Sequence, residues 1–360
     1  MIRQAVDENF FVGQALLPVQ IETSKCARLT IAPDFSPVAH LKRLVVPSVT
    51  VAALFVFLAV PSLAVSNETD TFKVQPPPVE LKAQRFYTKY VDADGYPILA
   101  SDNVSDYALK EAAFLATQML AHRPDIKRAM VASGSRMLIM AHTEFTTDLP
   151  EFARFKTDEN FANDFPAFAG FDSGDYWDAR ARGTGGSKED PYCTVAEENL
   201  LAYPGDPYAA ECILIHEFAH NIHLRGMVNL DSSFDERLKN TYDAAMAKGL
   251  WKGKYASVNH HEYFAEGVQS WFGNNRPPDH DHNHVDTRVE LKEYDPELAK
   301  ICEEVFGKTV VKYTKPTTRL TGHLEGYDPS TAPTFAWPVR LDNVRKAIRL
   351  HALSRSQAKK

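Results

Sequence analysis

Residues Cys212–His223 read CILIHEFAHNIH, and within them His216-Glu217-Phe218-Ala219-His220 sets two imidazoles four positions apart with a carboxylate beside the first. On a helix, positions four apart share a face with Cβ atoms about 5–6 Å apart, so both rings can reach one cation. Zinc takes imidazole nitrogens at about 2.0–2.1 Å. Glu217 projects toward the same space and can take a proton from activated water without itself binding the metal. The chemistry written into this spacing is metal-assisted hydrolysis. Ile213, Leu214, Ile215, Phe218 and Ile222 predict a mostly buried helix as the element that carries it.

A catalytic zinc site needs a third protein ligand and leaves one position for water. The HExxHxxGxxH pattern fails here, because Gly226 stands where its last His belongs. His223 lies about 10 Å along the helix axis from His216, too far to share a tetrahedral ion, and is expected to pack or hydrogen-bond in the core. The stretch Asn259-His260-His261-Glu262-Tyr263-Phe264-Ala265-Glu266, continuing through Val268, Trp271 and Phe272, predicts an amphipathic helix with Glu262 and Glu266 on one face. One of these carboxylates can bind the metal while the other accepts a hydrogen bond from a ligand imidazole. A solvated acidic face is the ordinary fate of such a pair, but the nearby HExxH favours ligation. A second His-rich tract, Asp279-His280-Asp281-His282-Asn283-His284, follows Pro277-Pro278 and predicts a solvated loop, with a second metal site as its alternative.

These residues resemble the gluzincin metallopeptidases, and more narrowly the catalytic domain of the anthrax lethal factor type, in which HExxH is followed by a Tyr and an ExFAE-like helix. The matching positions are His216, Glu217, His220, Tyr255, Glu262, Phe264, Ala265 and Glu266. The resemblance is confined to 211–272. It implies one Zn²⁺ per chain held by His216, His220 and Glu262, Glu217 as general base, Tyr255 donating to the oxyanion, and Glu266 supporting a ligand ring. It also implies a zincin-like α+β fold and a peptide or protein substrate. The toxin's additional domains have no room here, so its substrates are not implied. An amidase acting on cell-wall or small-molecule amides would use the same residues. A noncatalytic metal-binding protein is the third reading, and the intact Glu217 argues against it.

The elements that position this chemistry are legible elsewhere. Leu109, Ala112, Leu115, Ala116 and Met119 recur at helical spacing behind Ser105 and ahead of Pro124. Residues 129–132 and 137–141 read as two short strands joined by a turn at Ser133-Gly134-Ser135. The second of these is an expected edge along which an extended peptide can pair. Gly183-Thr184-Gly185-Gly186-Ser187 reads as a flexible loop that lacks the Lys of a phosphate-binding loop. Helices are expected over 211–225, 233–248, 260–272, 296–306 and 342–354. Strands first and helices afterwards make an α+β domain.

The chain of 360 residues is 44% hydrophobic and 24% charged, a globular composition, and its net charge of -7 argues against nucleic acid as a partner. Its 13 His are concentrated around the stretches just described. Four cysteines, Cys26, Cys193, Cys212 and Cys302, form no CxxC pair; Cys193 and Cys212 are either a disulfide or two buried thiols. Residues 44–65 carry no charge, follow Lys42-Arg43 and end in Ser62-Leu63-Ala64. This reads as an export signal cleaved after Ala64, or an uncleaved membrane anchor. The preceding forty or so residues are long for such a signal, so either translation begins downstream or they form a short inner tail. The expected layout is 1–66 tail and signal or anchor, 67–84 Pro-rich linker, and 85–360 catalytic domain in an exported, secreted or periplasmic protein.

Overall fold

Apolar runs that fail to alternate, such as Met137-Leu138-Ile139-Met140, belong to strands covered on both faces. The computed structural model, which describes residues 72–358, arranges them so. Strands β1 (Lys89–Ala93), β2 (Tyr96–Ala100), β3 (Arg136–Met140), β4 (Gly183–Thr184) and β5 (Tyr192–Ala196) form a sheet of order β1-β2-β3-β5-β4. The β1–β2 pair is an antiparallel hairpin turned by Asp94-Gly95, β2, β3 and β5 run parallel, and β4 is antiparallel to β5. Alternate side chains serve two cores: Ile98, Met137, Ile139, Cys193 and Val195 face one, and Leu99, Leu138, Met140 and Ala196 the other.

Helices close both faces. On the first lie α1 (Asp106–Met119), α2 (Pro124–Ala132), α4 (Ile213–Asn221), α5 (Phe234–Ala247), α6 (His260–Trp271) and α7 (Pro296–Phe306). On the second lie α3 (Ser173–Arg180), through Tyr176 and Trp177, and α8 (Asp342–Ala358), through Val344 and Ile348. The architecture is α+β. None of these helices is long and apolar enough to cross a membrane.

Several expectations are corrected. Residues 129–132 end α2 rather than forming a strand: Ser133, Gly134 and Ser135 donate back to Ala129, Val131 and Met130, with Gly134 at φ +83, a helix C-terminus closed by glycine. Strand β3 is central, with β2 and β5 on its two sides, so it has no edge to offer a peptide. The glycine-rich 183–187 stretch is no flexible loop; it contains edge strand β4 and is buried throughout. Within the stretch expected as a linker, Phe72 packs in the core and Gln75 forms a bridge with Tyr90. Cys193, Cys212 and Cys302 are free buried thiols. The signal or anchor at 44–65 and Cys26 lie outside the described residues.

Arg182, fully buried just before β4, ties this sheet to its surroundings. Its Nε donates to Glu198 Oε1 at 2.6 Å, and its Nη atoms donate to the carbonyls of Ala141 and Glu144. Truncating one partner strands the other charge in a dry interior, at a cost of about 3–5 kcal/mol. Arg182→Ala is therefore expected to lower stability by about that amount in urea titrations, and a loss below 1 kcal/mol would contradict this account.

Candidate metal centre

A helix buried on every side must satisfy its leading amides with side chains, and α4 does. Ile213 N–H donates to Asn199 Oδ1 at 2.7 Å, and Cys212 N–H donates to Asn274 Oδ1 at 2.7 Å. Every residue from Ile213 to Asn221 is buried. Beyond Asn221 the helix continues as a π-segment, Ile222–Met227, where Gly226 lets α2 approach: a Cβ there would stand 2.6 Å from Ile126 Cγ2. Opposite, Asn259 caps α6 by accepting from the N–H groups of His261 and Glu262, both at 2.9 Å, which places Glu262 in the first turn facing α4.

The two helices bring His216, His220 and Glu262 together, with one donor atom from each lying within 4.8 Å of the other two. Glu262 Oε2 is 2.9 Å from His216 Nε2 and 3.6 Å from His220 Nε2. Among the described residues, neither ring nitrogen of His220, which is 0% exposed, has a hydrogen-bonding partner. A buried imidazole left in this state costs free energy, and a cation between the three side chains would supply what is missing. Two imidazoles and a carboxylate are a donor set that fits a transition-metal ion.

Electrostatics follow from this crowding. Burial would lower the His216 pKa, but hydrogen bonding to Glu262 and the charges of Glu262, Glu217 and Glu266 hold it up to about 10. Burial dominates at His220 and pushes it down to about 4. Burial would raise Glu262, yet the two imidazoles keep it well below the usual carboxylate range. Glu217 is fully buried, and its charge raises both His216 and Tyr255. Tyr255 lies with its ring centroid 6.1 Å from that of His216. Burial first, and the Glu262 charge next, raise its phenol far above the ordinary value, so its hydroxyl stays a donor.

Glu266 is near the centre but does not hold a ligand ring by a hydrogen bond. Its Oε1 is 3.6 Å from His216 Nδ1, and Gln269 Oε1 takes that nitrogen at 2.9 Å. Gln269 in turn donates to Glu211 Oε2 at 2.5 Å, and Arg276 Nε lies 3.0 Å from Glu211 Oε1. Gln269 is marked in the sequence only by the polar row Glu262, Glu266, Gln269 at helical spacing on a buried face. Glu266 instead accepts from Asn275 Nδ2 at 3.1 Å and faces His282 Nε2 at 3.5 Å.

The His-rich tract is therefore not simply solvated. His282 and Asp281 are 2% and 7% exposed, and the Asp281 carbonyl accepts from Tyr255 N–H at 2.8 Å. Burial lowers and the Glu266 charge raises the His282 pKa, with a net rise to about 9. His223, as expected, is in the core and bonded elsewhere, to Asp235 Oδ1 at 3.0 Å. On the sheet side, Gly185 and Gly186 lie directly against α4, where a Cβ would stand 2.6 Å from the His220 ring and 2.6 Å from Asn221 Oδ1.

Neither a family model nor a curated protein matches the chain by sequence. In structure the chain is similar to the Pro-Pro endopeptidase from Paenibacillus alvei, with a TM-score of 0.39 and 18% identity over 59% of this chain and 99% of that one.

Two consequences of the His216–Glu262 pair are measurable in the metal-free protein. With a folded pKa near 10 against 6.5 in the unfolded chain, His216 contributes stability that is complete below about 6.5 and lost as pH rises through 10. Denaturation at successive pH values should show that decline. Metal uptake near pH 6 must also displace the His216 proton, so calorimetry in buffers of different ionisation enthalpy should report release of about one proton. No release would show His216 to be neutral before the ion arrives.

Proposed function

We propose that this chain is an exported zinc-dependent metallopeptidase with a zincin-like catalytic domain at 85–360. The observation that carries the proposal is the convergence of His216, His220 and Glu262 from two helices, with Glu217 and Tyr255 beside them and His220 otherwise unpaired. Three ligands with a separate carboxylate are what catalysis needs, whereas a structural zinc site usually has four protein ligands and no base. Zinc bound there would supply Lewis acidity, polarising a carbonyl and making water acidic enough to lose a proton near neutral pH.

The protein's own groups do the rest. Glu217, buried between α4 and β4, would take the proton from the attacking water and return it to the departing amine. Tyr255 keeps its proton and can donate a hydrogen bond to the oxyanion, and its backbone is held by the Asp281 carbonyl. Gln269 fixes the tautomer of His216 by accepting from Nδ1, which leaves Nε2 toward the cage. The natural substrate class is a peptide or protein.

Glu217→Gln is expected to keep the metal and lower kcat/KM by about 10²–10⁴ on a mixed peptide library. Tyr255→Phe should lower kcat by about 10²–10³ with little change in KM. Peptide cleavage unaffected by a chelator, or by Glu217→Gln, would sink the proposal; cleavage of cell-wall amides with peptides left intact would replace peptidase by amidase.

A further inference from the structure

Behind the first cage, one helical turn further along α4, stands a second group of metal-ligating side chains. His223, in the π-segment, Asp235 on α5 and His261 on α6 each offer a donor atom, and these atoms all lie within 4.8 Å of one another. His223 Nε2 is 3.0 Å from Asp235 Oδ1, and His223 Nδ1 faces His261 Nδ1 at 3.4 Å. His260 Nε2 reaches the same Asp235 oxygen at 3.0 Å. We propose that His223, Asp235 and His261, with His260 as the fourth candidate ligand, form a second site for a divalent transition-metal ion, distinct from the His216–His220–Glu262 centre.

The spacing argues for an ion over a plain hydrogen-bond network at one contact in particular. A nitrogen–nitrogen hydrogen bond is ordinarily near 3.0 Å, and 3.4 Å is long for one. Two nitrogens that share a tetrahedral ion at 2.0–2.1 Å, by contrast, stand about 3.4 Å apart; since one ring gives an ion only one nitrogen, an ion between the two Nδ1 atoms leaves His223 Nε2 beside Asp235, whose carboxylate must turn to add its own oxygen. The donor set is also right, since three imidazoles and one carboxylate suit zinc or a neighbouring metal. The π-segment gives independent support. Single π-turns cost regularity and recur at functional positions, and this one contains His223. Access is graded: His223 and His261 are 0% and 5% exposed, whereas the side chains of His260 and Asp235 are 17% and 29% exposed, so an ion can enter past them. The charge facing Asp235 from elsewhere is Lys188, whose Nζ is 3.8 Å from Oδ2 and whose side chain is 63% exposed, free to swing into solvent. An ion here would staple α4, α5 and α6 together.

The test counts zinc per chain by elemental analysis in the full chain, after zinc loading and removal of excess. The unaltered chain should hold two ions and Asp235→Asn one. In a His216→Ala/His220→Ala background, which lacks the first cage, one ion should remain, and adding Asp235→Asn or His261→Asn should remove it. The two added variants guard against a single misfolding substitution, with the far-ultraviolet dichroism of each checked first. Because that background retains no peptidase centre, the outcome does not depend on the proposed function. Zinc-saturated Asp235→Asn should also unfold at a lower temperature than the saturated parent. A chain that saturates at one ion, a double variant that holds none, or a triple variant that still holds one overturns the proposal.

Discussion

The structure turns on the cost of keeping ionisable side chains in a dry interior. His216, Glu217, His220, Glu262 and Glu266 are all at most 3% exposed, packed where α4 meets α6. An uncompensated charge there costs several kcal/mol, so each group must be answered by another. The surroundings read as the answers: Gln269, Glu211 and Arg276 extend from His216 in a line, and Asn275 and His282 meet Glu266. His220 is answered only at a distance, by Glu262 Oε2 at 3.6 Å, and makes no hydrogen bond among the described residues.

The sheet serves the same constraint from the other side. Just past its edge strand β4, Gly185 and Gly186 carry no side chains, and this lets backbone approach the His220 ring on α4 and lets Gly186 N–H donate to Asn221 Oδ1 at 2.5 Å. A larger residue at either position would push the strand off the helix. The parallel core behind it, β2, β3 and β5, is buried on both faces.

Much of the site was legible in the sequence because its geometry is local. His216 and His220 are one helical turn apart, as are Glu262 and Glu266; such relations need only the periodicity of a helix. The α+β class and the long helices over 234–247, 260–271 and 296–306 were legible for the same reason. What escaped depends on partners remote in the chain. Composition alone marked 183–187 as a loop, and nothing local says that α4 will lie against it. Residues 129–132 are apolar in either a strand or a helix end, and only the closure of Ser133–Ser135 onto 129–131 decides. His282 looked solvated because its partner, Glu266, is on another element.

The entry of α4 is also a mechanical joint. Asn274, just past the end of α6, accepts from Cys212 N–H and donates back to Cys212 O at 2.9 Å, so a single amide side chain imitates a neighbouring strand's peptide group. The start of α4 is thereby clamped to the finish of α6, and neither can slide by more than the few tenths of an ångström that two hydrogen bonds tolerate. Movement of one helix start is thus movement of the other helix end, because both hang on the same amide side chain.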